Sequence, residues 1–368
     1  MTGKRLHIRT TNVHTTATLR PCSCRLHNLC KCMHAWIWIH AWPQPTAHRG
    51  GEGEAAPRGT ASTLSSMLAC KASPSRPCVV PLVCLLVVAA AVVVVAASAP
   101  PAEAAFDDNY VAQWGRDGYH LVVRGTEANV TMDQSSGAGF RSKSTYGSGF
   151  FHMRMKLPSG YTAGVVTTFY LISQPEDGSR DEVDLEFLGD KAGVPITLQT
   201  NVFVDGRGDR EQRTRLWFDP AADFHDYKIL WNPYQLVMFV DDTPVRVLRN
   251  LTGAVPGYPF PGKQTMLIRA SVWDGSDWAT DGGRTKVDWS RGPFTAGYRG
   301  FDVDGCANNG SDACQSPDLW WNAAEYRNIT AEQRAAYEDV KRSYMNYDYC
   351  ADKARFNSTT VPIECNYA

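Results

Sequence analysis

The chain has 368 residues, with 37 Lys and Arg against 38 Asp and Glu. Residues 1–104 hold ten of the basic and three of the acidic residues; residues 105–368 hold 27 and 35, so the near-neutral total joins a basic leader to a body of net charge −8. An acidic body argues against a nucleic-acid partner, which is bound through Lys and Arg on phosphate, and its roughly 264 residues suffice for one large all-β core.

Residues 1–66 are rich in Thr, His, Arg and Pro and lack hydrophobic periodicity. Cys22, Cys24, Cys30 and Cys32 with His27 and His34 are zinc-ligand residue types. A structural zinc site needs a folded surround, and no apolar core accompanies them. Disorder, or a start codon assigned too early with Met67 the real start, is the plainer reading. From Met67 the text changes to Lys71 and Arg76, an apolar run over 79–97, and Ala102-Glu103-Ala104. That order is a secretory signal peptide cleaved after Ala104. The run is nearly long enough to span a bilayer, so an uncleaved anchor is the alternative; both deliver the body outside the cytosol, and cleavage leaves no stable membrane association.

The body is expected to fold as an all-β sandwich of two antiparallel sheets over 105–300, with a disulfide-stabilised extension containing one helix over 301–368. Phe151, Met153, Met155 and Leu157 alternate with His152, Arg154 and Lys156, the period of a half-buried strand. Further strands are predicted over 164–172, 198–203, 227–231, 236–240 and 266–271, with a tight turn at Asp241-Asp242. Many short strands without intervening helices mean a sandwich or barrel. Late in the chain, Tyr337, Val340 and Tyr344 have helical spacing over 330–345, and Thr330 with Gln333 fits a capping box. The body's four cysteines suit an oxidising compartment; sequential pairing, Cys306–Cys314 and Cys350–Cys365, closes short local loops. Glycosylation sequons stand at Asn129, Asn250, Asn309, Asn328 and Asn357.

Residues 181–188 alternate strictly. Val183, Leu185 and Phe187 point one way, and Glu182, Asp184 and Glu186 the other. Three carboxylates on one strand face repel one another. A solvated surface and a calcium or magnesium site are the alternatives to catalysis. Glycoside cleavage needs this chemistry: one carboxylic acid protonates the leaving oxygen while a second carboxylate attacks or activates water. Packing the groups together separates their pKa values. Retention wants carboxyl groups about 5–5.5 Å apart and inversion about 6.5–9.5 Å. Alpha carbons four apart on a strand are about 13 Å apart, so the side chains must lean together. Trp273, Trp278, Trp289, Trp320 and Trp321 offer flat faces for sugar rings or core filling. Tyr170, Gln199, Asn201, Arg210 and Glu211 are polar candidates.

At these residues the body resembles the plant xyloglucan endotransglucosylase/hydrolase family, glycoside hydrolases on a concanavalin-like jelly roll. The resemblance runs from about Ala105 to Cys365 through the 181–189 segment, Gln199-Thr200-Asn201-Val202, Asp209-Arg210-Glu211-Gln212-Arg213, Trp231-Asn232-Pro233, Asp277-Trp278-Ala279-Thr280 and Tyr347-Asp348-Tyr349-Cys350. It implies a retaining mechanism with Glu182 as nucleophile, Glu186 as acid/base and Asp184 as helper, and resolution of the intermediate by water or by another xyloglucan chain. It implies substrate contacts at Tyr170, Gln199, Asn201, Trp273 and Trp278, and an acceptor-side role for Arg355. No cofactor and no metal are expected, and the partner is cell-wall xyloglucan, met by a monomer in the apoplast. The sequence departs from the family at Arg180, where His is usual, at Val183 and Leu185, at Asp190, where many members carry a glycosylated Asn, and at Asn357, where Pro is usual. An Arg180 pointing inward is expected to stabilise ionised carboxylates. A mainly hydrolytic enzyme on another β-glucan or xylan, and a catalytically silent carbohydrate-binding wall protein, are the competing assignments.

Overall fold

The computed structural model describes residues 103–174, 176–307, 312–357 and 360–367. The 1–66 leader with its cysteine cluster, the apolar run over 79–97 and Asn309 lie outside the described residues.

One helical turn, α1 (Phe106–Asn109), precedes strands β1 (Tyr110–Trp114), β2 (Leu121–Arg124), β3 (Glu127–Met132), β4 (Ala138–Ser142), β5 (Gly149–Lys156), β6 (Val165–Ser173), β7 (Glu182–Leu188), β8 (Thr197–Phe203) and β9 (Gln212–Arg215). Strands β10 (His225–Trp231), β11 (Gln235–Val240), β12 (Thr243–Arg249), β13 (Met266–Asp274), β14 (Phe294–Arg299) and β15 (Asp304–Gly305) follow, then helix α2 (Ala331–Ser343) and β16 (Met345–Asp348). The first sheet has the order β1-β4-β13-β6-β7-β8-β9-β16, and the second β12-β11-β10-β5-β14-β3-β2 with β15 on β5. The six segments predicted from alternation and apolar runs are strands: four are extended by one to three residues where backbone pairing continues past the apolar pattern, the 164–172 segment is shifted by one residue, and the 151–157 segment starts two residues earlier and ends at Lys156.

The sheets face each other across one core. Phe169, Leu171, Val183, Leu185 and Phe187 from the first meet Phe151, Met153, Tyr227 and Ile229 from the second, with the Phe187 and Tyr227 rings 4.5 Å apart. The β11–β12 hairpin turns at Asp241, whose φ of 52° is a left-handed conformation that Asp tolerates. Residues beyond 300 contribute to both sheets, through β15 and β16. Helix α2 starts as its sequence requires: Thr330 Oγ1 accepts from Gln333 N at 3.2 Å and Gln333 Oε1 accepts from Thr330 N at 3.0 Å. It buries Tyr337 and Val340. Among the described residues, no helix is long and apolar enough to cross a membrane.

Disulfides join Cys306 to Cys314 and Cys350 to Cys365, 15 residues apart. Replacing Cys350 and Cys365 together by Ser removes the constraint on a loop of that length, which lowers unfolding free energy by about 3 kcal/mol. Urea unfolding of the double variant reads this as a lower midpoint, with a slope no smaller than wild type because the uncrosslinked unfolded chain is less compact. Of the sequon asparagines, Asn129 is half-buried on β3, Asn250 donates through Nδ2 to the Pro233 carbonyl at 2.8 Å, and Asn328 and Asn357 are exposed.

Candidate active site

Strand β7 lies in the middle of the first sheet, paired with β6 and β8 along its whole length. Val183, Leu185 and Phe187 enter the core almost fully buried; each contributes about 1.5–3 kcal/mol. This anchors the strand in the one register that turns Glu182, Asp184 and Glu186 to the sheet's outer face. The three carboxylates line one open cavity of about 300 Å3 with Trp114, Thr168, Tyr170, Ser271 and Trp273. The register explains the lining: Thr168, Tyr170 and Ile172 on β6 stand opposite Glu186, Asp184 and Glu182. Ser271 on β13 stands opposite Thr168, and their hydroxyls are 2.7 Å apart.

Burial and mutual repulsion push two of the three acids above the usual carboxylate range. Asp184 is pushed well above the usual carboxylate range, first by burial, then by the charges of Glu182 and Glu186 and by a hydrogen bond with Glu182. Glu186 is pushed up to about 7, chiefly by burial, against the opposing pull of its bond from Gln199. That bond runs from Gln199 Nε2 to Glu186 Oε2 at 2.8 Å. Glu182 instead accepts from Arg180 Nε at 2.6 Å, a charge-assisted bond. The Arg180 guanidinium rests 4.7 Å from the centre of the Phe203 ring, and Phe203 is the β8 residue opposite Glu182. Arg180 therefore does point at the cluster. Burial pushes the Tyr170 phenol up to about 12, so it remains a donor at any pH the protein meets.

Tyr170, Gln199, Asn201 and Trp273 surround the carboxylates, with Asn201 opposite Asp184. Asn201 Oδ1 accepts from the Val202 and Arg210 amides at 2.9 and 3.1 Å. Trp278 leans on Trp273 with ring centres 6.1 Å apart, both half-buried beside the apolar patch of Val166, Leu188 and Ala279. Arg210 is committed elsewhere: its Nε donates to Glu364 at 2.5 Å and its Nη1 to the carbonyls of Val202, Arg207 and Gly208. Glu211 accepts from Arg355 Nη1 at 2.6 Å, and Arg355 also pairs with Asp209.

Trp320 and Trp321 do not reach the cavity. Trp321 is buried against Leu230, Val237 and Phe239 of the second sheet, donating to Ser148 Oγ at 3.0 Å, and Trp320 packs on Phe150. Trp289 packs on Phe294 at the core edge. Trp114, Thr168 and Ser271 are cavity residues that sequence reasoning missed, and Trp114 is the large ring among them. It ends β1 opposite Gly139, where a Cβ would fall 2.3 Å from the indole. Only glycine admits the ring at that point, and a Trp and a Gly 25 residues apart give no local pattern to read.

Residues 106–291 match the family model for glycosyl hydrolases family 16, and residues 315–365 match that of the xyloglucan endo-transglycosylase C-terminus. The chain is 48% identical over 264 residues to xyloglucan endotransglucosylase/hydrolase protein 3 of Arabidopsis thaliana, covering 71% of this chain and 88% of the relative. It is 44% identical over 265 residues to a xyloglucan endotransglucosylase/hydrolase of Brassica oleracea var. botrytis, covering 72% and 88%. With xyloglucan endotransglucosylase protein 34 of a Populus tremula x Populus tremuloides hybrid it shares 45% over 265 residues, covering 72% and 88%. With the jelly-roll sheets and the carboxylate line on β7 already described, these matches make the chain a member of glycosyl hydrolase family 16, in its xyloglucan endotransglucosylase/hydrolase branch.

Proposed function

We propose that the chain cleaves internal β-1,4-glucosyl bonds of xyloglucan with retention and passes the glycosyl group to another xyloglucan chain or to water. The observation that carries this is the alternation of β7, which sets Glu182, Asp184 and Glu186 along one open cavity. Glu182 attacks the anomeric carbon as a carboxylate. As its oxygen–carbon bond forms, the glycosidic bond breaks and Glu186 gives its proton to the departing oxygen. Asp184, holding a proton between its neighbours, donates to Glu182 and limits repulsion along the line. Glu186, now ionised, takes a proton from the incoming hydroxyl, and that oxygen displaces Glu182 from carbon. Each half-reaction inverts the centre, so the pair restores it.

Trp273 and Trp278 would stack on donor sugars and Tyr170 would donate to them, with Gln199 and Asn201 close to the cleavage point. Arg355 with Glu211, and Arg210 behind them, would shape the acceptor side. The proposed setting is the plant cell wall, reached by secretion after loss of the leader, as a monomer with glycans on the exposed Asn328 and Asn357. Transfer between chains would remodel the wall without net loss of linkages. The test supplies xyloglucan and a labelled xyloglucan oligosaccharide. Label entering polymer is the expected result. Reducing ends rising without that entry would restrict the chain to hydrolysis, and no change in either would exclude xyloglucan as donor.

A further inference from the structure

We propose that Arg213 is a positioning residue for the acid: it holds the Gln199 amide in one orientation, so that Gln199 donates to one carboxyl oxygen of Glu186 and the transferable proton is confined to the other. The proposal rests on Glu186 being the acid, as read above.

The geometry is a single row across four strands. Glu186 on β7 stands opposite Gln199 on β8, which stands opposite Arg213 on β9, which stands opposite Tyr347 on β16. Arg213 Nε donates to Gln199 Oε1 at 2.7 Å, and Gln199 Nε2 donates to Glu186 Oε2 at 2.8 Å. The Arg213 guanidinium lies over the Tyr347 ring, 5.5 Å from its centre. Gln199 is buried, so its two ends must both find partners within this row.

A carboxamide accepts at one end and donates at the other, whereas guanidinium only donates. Arg213 therefore takes the amide oxygen, and the NH2 end is left facing Glu186. A flipped amide would set donor against donor at Arg213. An oxygen receiving an N–H bond is the wrong place for the acid's own hydrogen, so that hydrogen sits on Oε1 of Glu186, free to meet the departing sugar oxygen. Without Arg213 the amide turns at little cost. Its oxygen then accepts the Glu186 hydrogen, and the acid is protonated but engaged with Gln199 rather than with substrate. Tyr347 supports the guanidinium from beneath, which ties the last strand of the sheet to the acid through two side chains.

The test compares Arg213→Met and Arg213→Lys with wild type on two donors sharing one glycone: an oligosaccharide, whose sugar leaving group needs a proton, and a dinitrophenyl glycoside, whose leaving group does not. Arg213→Met should lose about 10- to 100-fold in kcat on the oligosaccharide, with KM little changed. The loss should shrink at least tenfold on the dinitrophenyl donor, and the alkaline limb of the oligosaccharide pH profile should move to higher pH. Arg213→Lys, also a pure donor, should recover most of the loss. In a Gln199→Met background, Arg213→Met should add little, because the group it orients is gone. Equal losses on both donors, a change confined to KM, or full additivity with Gln199→Met would overturn the proposal. Glu186→Ala run alongside separates the two failures: if it too shows no dependence on leaving group, the acid assignment itself is wrong.

Discussion

Glu182→Ala loses turnover on xyloglucan by about 10^4-fold or more, the scale reached when a nucleophile is removed from an intact site. The size follows from what remains. With the carboxylate gone, no other group on β7 can form the covalent intermediate: Asp184 is more deeply buried and holds its proton, and Glu186 supplies the acid. Polysaccharide binding should survive within a few-fold, because Tyr170, Trp273 and Trp114 are untouched. A product assay makes the assignment specific. Azide added to the variant with an activated β-glycoside should enter the vacated space and yield the α-glycosyl azide, the inverted product of a single displacement. A variant that still cuts xyloglucan at a tenth of the normal rate, or an azide product of β configuration, would remove Glu182 from the role.

Glu186→Ala gives the second largest loss, about 10^2- to 10^4-fold on xyloglucan, the range of general acid–base catalysis. The deficit should nearly vanish for formation of the intermediate from a dinitrophenyl glycoside, and azide should now yield the β-glycosyl azide by resolving that intermediate. The pH dependence has a definite sign. Burial raises Glu186 to about 7, and cleavage requires its protonated form. The rate therefore falls as pH rises through about 7, and this alkaline limb disappears in the variant. An alkaline limb unmoved by Glu186→Ala would mean that another group donates the proton.

Alternation along residues 181–188 was enough to read both the strand and its acidic face, because a pleated segment with one face in the core has no other way to sort Val, Leu and Phe from Glu and Asp. What it could not convey is which strands flank β7. Thr168 and Ser271 reach the cavity only through the pairing of β6 with β7 and β13, which is set by long-range register. The five tryptophans beyond residue 270 illustrate the same limit. Composition made them candidates together, yet Trp273 faces the cavity and Trp321 is buried behind the other sheet, since a large ring serves a sugar or a core equally well. Arg180 was legible as a charge beside the cluster; its bond to Glu182 depended on Phe203 lying opposite to support the guanidinium. The helix near the end was readable to within two residues because Thr330 and Gln333 cap it by purely local bonds.

The placement of β16 bears on how the chain is made. Strand β9 is four residues long and is covered only when β16, near residue 345, pairs with it. Until the last few dozen residues leave the ribosome, a nearly complete sandwich presents an open row of amide and carbonyl groups along that side, the kind of margin on which chains pair with one another. The Cys350–Cys365 link follows directly behind. Pairing of β16 is thus the step that covers β9, and a chain truncated before β16 would be expected to aggregate rather than merely lose a subsite.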